Sequence, residues 1–263
     1  MHVASEMTGV YNWGVGLMVE DHHGETYVAF LDISGFKRKV RDNVALAASI
    51  LDKFYGTIYN VCSSINREKR LLRLPELNII VASDCAVVFS RMSVRDSRNN
   101  DLVRNNVDYL TPILSFVKEV NRILILSQSP APVLTTCSIA HGDFIYEDRR
   151  EFGYLKKNCF LGTPYMSAFQ DNENLRDRPG YCRLVRENLH LPSTLSRDDS
   201  LSLLHKTPKY YYFYWMLSTF DDLKNFRREY KEACRIRGQS KYIHITAVLQ
   251  KYVGKASTRA SET

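Results

Sequence analysis

The sequence has no cysteine pair at C-x-x-C spacing, no long apolar run, no extended basic block and no internal repeat. Each absence excludes something. The six cysteines, Cys62, Cys85, Cys137, Cys159, Cys182 and Cys234, are scattered, so a structural zinc site is not expected. Buried free thiols in a reducing compartment are, and the chain is expected in the cytoplasm. No stretch approaches the roughly 18–20 apolar residues that cross a membrane. The start, MHVASEMTGVYNWG, has neither the basic opening nor the continuous apolar stretch of a signal peptide. Net charge is +7, from 36 basic and 29 acidic residues, without clustering. That excess suits an anionic ligand such as a nucleoside triphosphate; specific nucleic-acid binding is not expected.

What is present is an ordinary globular balance, 44% hydrophobic and 25% charged over 263 residues, enough for one large domain with a substantial core. Residues 1–24 read as a polar N-terminal segment, 25–253 as a single domain and 254–263 as a flexible tail. Residues 25–33, ETYVAFLDI, are short, aromatic and β-branched, and read as a buried strand. A helical pattern follows over 43–65. Residues 77–89 break at Ser83-Asp84, which predicts a hairpin with a polar tip. A long helix is expected over 101–126, and a strand over 132–147 interrupted by a turn at His141-Gly142-Asp143. A helix after Gly162, a strand over 181–185, an aromatic strand over 209–216 and a charged helix over 219–237 complete the reading. The order β-α-β-β-α-β predicts an α+β sandwich of ferredoxin-like type, with helices on one face of a mostly antiparallel sheet.

Two carboxylates stand out. Asp32 closes the strongest apolar run, and Asp84 sits at the hairpin tip. In a ferredoxin-like sheet the first strand is central and the hairpin lies beside it, so the two acids would meet. Bare, they would repel and one would take up a proton; divalent cations between them turn that repulsion into a binding site. Hard oxygen donors favour magnesium or manganese. The small turn Ser34-Gly35 then leads towards a helix, and its N–H groups could hold phosphate oxygens. Taken singly, Asp32 has the simpler reading of a helix N-cap and Asp84 that of turn chemistry. Asp21-His22-His23 has the composition of a metal cluster but reads as a polar loop.

FLDISGFK, ASDCAVVF, CSIAHGDF and FLGTPYMSAFQ occur in the order of four motifs of class III nucleotide cyclase domains, over roughly residues 25–175. The chain resembles that family, and within it the bacterial Pycsar pyrimidine cyclases of antiphage defence. The resemblance implies two metal ions, manganese or magnesium, on Asp32, Asp84 and the Ile33 carbonyl. Ser34, Gly35 and Phe36 would lie along the triphosphate. The reaction would be attack of the ribose 3′-oxygen on the α-phosphate with loss of pyrophosphate, in a head-to-tail homodimer whose product acts through a cyclic-nucleotide-sensing effector. The base-reading Lys and Asp of adenylate cyclases correspond to Ile80 and Cys159, which disfavours purines. UTP is favoured over CTP by the resemblance alone. The transition-state Asn and Arg correspond to Met166 and Gln170, leaving Arg70, Arg73, Arg104 or Lys241 as substitutes, or leaving a degenerate domain that binds without turnover. A diguanylate cyclase would share the first motif, but its G-G-D/E-E-F turn is absent from 82–86. An α+β interaction domain with no site is the remaining alternative.

Overall fold

The computed structural model describes residues 21–71, 75–91, 106–151, 155–186, 191 and 201–260. Strand β1, His22–Ile33, leads through a two-residue turn into helices α1, Phe36–Asp42, and α2, Val44–Leu71. The hairpin β2, Glu76–Ala82, and β3, Cys85–Arg91, follows, then α3, Asn106–Leu126, and β4, Thr135–Glu151. Next come β5, Leu155–Gly162, α4, Thr163–Glu173, β6, Cys182–Val185, β7, Leu204–Lys206, and β8, Tyr210–Phe213. Helices α5, Leu223–Arg235, and α6, Gln239–Ala260, close the chain. The sheet order is β2-β3-β1-β4-β6-β8-β7, with β5 paired to β4. All pairings are antiparallel except that of β4 with β6. The first four strands therefore form the expected ferredoxin-like sheet, with β1 central.

The apolar run of β1 is continuous because both its faces are covered. Tyr27, Ala29, Leu31 and Ile33 point into the main core, against Ile50 and Phe54 of α2, Leu110 and Leu114 of α3 and Leu249 of α6. Val28 and Phe30 point the other way, into a second cluster with Ile80, Val87 and Ala168 of α4. Helices thus occupy both faces of the sheet, where the sequence pattern predicted one. Alternation puts Asp32 on the Val28 and Phe30 face, under α4.

Four further expectations change. The turn predicted at His141-Gly142-Asp143 lies inside β4, whose pairing with β1 runs unbroken from Thr135 to Tyr146. Gly142 is there for space: at φ 156° a Cβ would meet Thr163 Oγ1 at 2.7 Å, so the glycine lets the start of α4 close on the strand. The N-terminal boundary moves, since β1 starts at His22 and takes in both histidines. His22 packs against Phe89 and Phe144, and His23 approaches Glu147 at 3.5 Å. At the other end α6 continues to Ala260, through most of the segment read as a tail, since Lys-Ala-Ser-Thr-Arg-Ala contains no helix breaker. The aromatic strand is shorter than expected, because Tyr214–Leu217 turn back through a Leu217 N–H to Tyr214 O bond of 3.0 Å. Residues 101–105 of the predicted long helix lie outside the described residues.

Helix α4 is tied down by charge as well as packing. Asp171 and Arg183 are both 7% exposed and bonded through both carboxylate oxygens, at 2.6 and 2.7 Å. Ser138 Oγ donates to the same carboxylate at 2.7 Å, and the guanidinium lies 3.9 Å from the centroid of Tyr210. Breaking such a pair leaves a buried charge uncompensated, at a cost of about 3–5 kcal/mol. Asp171→Ala should therefore lower the Tm by on the order of 10 °C, read by thermal denaturation, whereas an exposed Asp52→Ala should leave it within about 2 °C.

Candidate functional site

Asp32 and Asp84 come together through main-chain pairing. Asp32 pairs with Cys85 across β1 and β3. One residue further, Ile33 N–H donates to Asp84 O at 3.0 Å, which locks the hairpin tip against the end of β1. The tip is tight: Ser83 has φ 55°, a left-handed conformation that costs a non-glycine residue on the order of 1 kcal/mol. Tyr55 Oη of α2 donates to Ser83 O at 2.7 Å and holds it there. Both carboxylates are half-buried.

The following turn is equally fixed. Ser34 N–H donates to Leu134 O at 2.8 Å, so it is not free for a phosphate. Ser34 is buried and its Oγ has no partner. Gly35 takes φ 72°, and a Cβ there would meet the Tyr242 Oη of α6 at 3.0 Å. Among the described residues, the N–H groups of Gly35 and Phe36 have no backbone acceptor. Phe36 is buried and anchors α1 in the core. The loop thus offers two main-chain donors and one hydroxyl beside the acidic pair.

The electrostatics show what the pair lacks. Burial, then the neighbouring Asp84 carboxylate, pushes the Asp32 carboxyl up to about 7; Arg176 opposes the rise and Glu173 adds to it. The Cys85 thiol is pushed up to about 11 by burial and then by Asp32 and Asp84. Two adjacent hard-oxygen carboxylates fit a divalent cation, and the Ile33 carbonyl belongs to the same strand end. Among the described residues no group of three or more His, Cys, Asp or Glu side chains could hold a metal. The residues present fit ions that complete their shell with water and substrate oxygens, as magnesium and manganese do.

Other sequence-predicted residues are not brought to the pair. Ile80 is buried on the Asp32 face, in cross-strand register with Val87 and through it Phe30. Cys159 is exposed and pairs with Glu147, nine positions along β4 from Ser138, the partner of Phe30. That is about 30 Å of extended chain, so the two form no common pocket within one protomer. Arg70 bonds Glu76 at 2.8 Å, and Lys241 Nζ donates to Asp177 O at 3.0 Å. Arg73 and Arg104 lie outside the described residues. The cation whose field reaches Asp32 is Arg176, in the turn after α4, where it hydrogen-bonds Glu173. Sequence reasoning missed it, because no motif marks that turn. It also missed an aromatic group beside the pair: Phe30 meets Phe169 edge-on at 5.3 Å, and Tyr165 stacks on Phe169 at 6.3 Å. Their i, i+4 spacing on α4 was the available signal.

No family model matches the chain, and no curated protein does. Among solved structures, a bacterial light-regulated adenylyl cyclase superposes with a TM-score of 0.50 at 11% identity, over 90% of this chain and 58% of that one. The chain thus spans a little over half of that protein's length. The catalytic core of a rhodopsin-guanylyl cyclase with converted specificity, in complex with ATPαS, gives 0.49 at 10% identity, over 74% and 99% of the two chains. The guanylate cyclase domain of RhGC from Catenaria anguillulae, in complex with GTP, gives 0.49 at 8% identity, over 73% and 95%. At such identities the likeness is one of architecture: the chain has the mixed α+β fold, with a mostly antiparallel sheet, of class III nucleotide cyclase domains.

Proposed function

We propose that this chain is a metal-dependent pyrimidine nucleotide cyclase, converting UTP to 3′,5′-cyclic UMP and pyrophosphate, with CTP as the alternative substrate. The observation that carries the reading is the acidic pair: Asp32 and Asp84 sit side by side on a central strand end, next to free loop donors. Manganese or magnesium held by Asp32, Asp84 and the Ile33 carbonyl, two ions per site, would offset the triphosphate charge and acidify the attacking 3′-hydroxyl. The chain's own groups do the positioning. The Gly35 and Phe36 N–H groups donate to phosphate oxygens, and Ser34 Oγ gains an acceptor it lacks. Arg176 supplies the positive charge that Met166 and Gln170 cannot; both lie exposed on α4. By the resemblance alone, Ile80 and Cys159 stand where adenylate cyclases carry their base-reading Lys and Asp, which disfavours purines. The preference for UTP over CTP, the role in antiphage signalling through an effector, and the cytoplasmic setting come from the resemblance to Pycsar cyclases.

A head-to-tail homodimer belongs to the same reading. Leu161, Met166 and Phe169 are 63%, 47% and 37% exposed at the end of β5 and along α4, an apolar surface that a second protomer would cover.

The reading is tested by incubating the protein with each of ATP, GTP, CTP and UTP in manganese buffer and detecting cyclic products by mass spectrometry. Cyclic UMP is expected, falling by roughly a thousandfold or more in Asp32→Ala and in Asp84→Ala. Absence of any cyclic product from the intact chain, with all four nucleotides, would sink the proposal.

The pH dependence follows from the raised Asp32 carboxyl. Metal binding needs the ionised form, so the apparent manganese affinity should fall about fivefold from pH 7 to pH 6 and level off above about pH 8, read by calorimetric titration. Without metal the sign reverses for folding. A carboxyl raised from 3.8 to about 7 favours the fold at low pH, and that contribution is lost as pH climbs towards 7. In EDTA, Asp32→Asn should raise the Tm at about pH 8, with a gain that shrinks steadily towards about pH 5.

A further inference from the structure

A second cavity, of about 620 Å³, opens between residues 177–181, strand β8 and helices α5 and α6. It shares no residue with the acidic pair or its loop. It lies at the same end of the sheet: Asp32 pairs with Thr136, and the adjacent Cys137 pairs with Cys182, which pairs with Phe213.

Its charge is one-sided. Arg178, Arg227, Lys231 and Lys241 line it, opposed by the single carboxylate Asp177. Among the described residues none of the four cations makes an ion pair. Arg227 Nε donates to the Tyr214 hydroxyl at 2.8 Å, and Lys241 Nζ to the Asp177 main-chain oxygen at 3.0 Å. Arg178 lies 5.9 Å from the Tyr181 ring centroid. On α6, outside the cavity, Lys251 pairs with Glu229 at 2.8 Å and Lys255 with Asp222 at 3.6 Å. What sets the cavity apart is that four cations converge on one concave space with a single carboxylate among them. Four like charges around one concave space repel one another, and a multivalent anion relieves that repulsion.

Its walls are aromatic. Tyr181 meets Tyr214 edge to face and packs against Tyr230 at a tilt, and the Tyr230 hydroxyl is fixed by donating to Pro179 O at 2.7 Å. Burial pushes all three phenols above their ordinary value, so they stay neutral and add no negative charge. The half-buried Tyr212 completes the wall. Rings and forked cations on one cavity suit a molecule with a flat ring at one end and a phosphate at the other. The volume falls in the range of roughly 300–1,000 Å³ typical of small-molecule sites.

We propose that this cavity is a binding site for a phosphorylated, planar-ring small molecule of nucleoside monophosphate chemistry, and that it is separate from the acidic pair and independent of divalent metal. The test is calorimetric titration of uridine 5′-monophosphate into the intact chain in EDTA, with uridine and inorganic phosphate titrated singly. Binding of the monophosphate is expected, weaker for either half alone and weaker at high salt. Removing Asp32 and Asp84 together should leave it unchanged. Removing the exposed Arg178 and Lys231 together, both to alanine, should weaken it at least tenfold while circular dichroism stays that of the parent. No binding in EDTA, undiminished binding in the Arg178/Lys231 variant, or loss in the Asp32/Asp84 variant would each overturn the site. Because no step uses metal or turnover, a negative cyclase assay leaves this test intact.

Discussion

The hydrogen bond from Ile33 N–H to Asp84 O, 3.0 Å long, sets the geometry on which the candidate site depends. It extends the β1–β3 ladder by one rung past the Asp32–Cys85 pair and brings the hairpin tip level with the end of the first strand. Two acids more than 50 positions apart in the chain are thereby held side by side by main-chain bonds, with no side chain left to choose the distance. The left-handed Ser83 and the Tyr55 hydroxyl that holds it supply the sharp turn this rung requires. Strain and mutual repulsion are stored at one point, and the surrounding sheet keeps both in place.

Helix α4 is the second fixed body around that point. Its Asp171 is clamped to the sheet through Ser138 and Arg183, so the helix cannot slide along the strands without unpairing a buried charge. The clamp stands at the C-terminal end of the helix, two residues before Glu173 and five before Arg176, the groups whose fields act on Asp32. A buried ion pair does little for net stability compared with an apolar contact. Here it fixes where the charged turn after α4 lies relative to the acidic pair. Phe30, Tyr165 and Phe169 pack α4 onto β1 beside it.

Much of this is legible in the sequence, for physical reasons. The apolar run ending in Asp32 and the Ser-Asp break after it are local signals, and local pairing carries them directly into adjacent strands. Helix α4 is announced by Gly162 and a proline in its first turn. What could not be read depends on distant segments meeting. Gly142 looks like a turn residue until Thr163 is seen pressed against it. The three-residue β7 is too short to show periodicity and exists only because β8 offers it an edge. Arg176 carries no motif, and the tyrosine-walled cavity is assembled from segments on both sides of 30 intervening residues, 182–211. Ile80 and Cys159 were aligned by motif spacing, but β4 runs straight through the expected turn and carries β5 away from the Ile80 row.

The contact between Gly35 and Tyr242 has a consequence for how such a chain can change over time. The loop residue is the thirty-fifth and its lid belongs to the last helix, so the oldest-looking motif and the C-terminal addition are in direct touch. A side chain at position 35 is disfavoured by its φ of 72°, and would also push the Tyr242 ring aside by a few tenths of an ångström. Loop and helix therefore constrain one another. A shuffled descendant that kept the motif but exchanged the C-terminal helix would lose the ring that closes over the turn, and the motif would persist in the sequence without its surroundings.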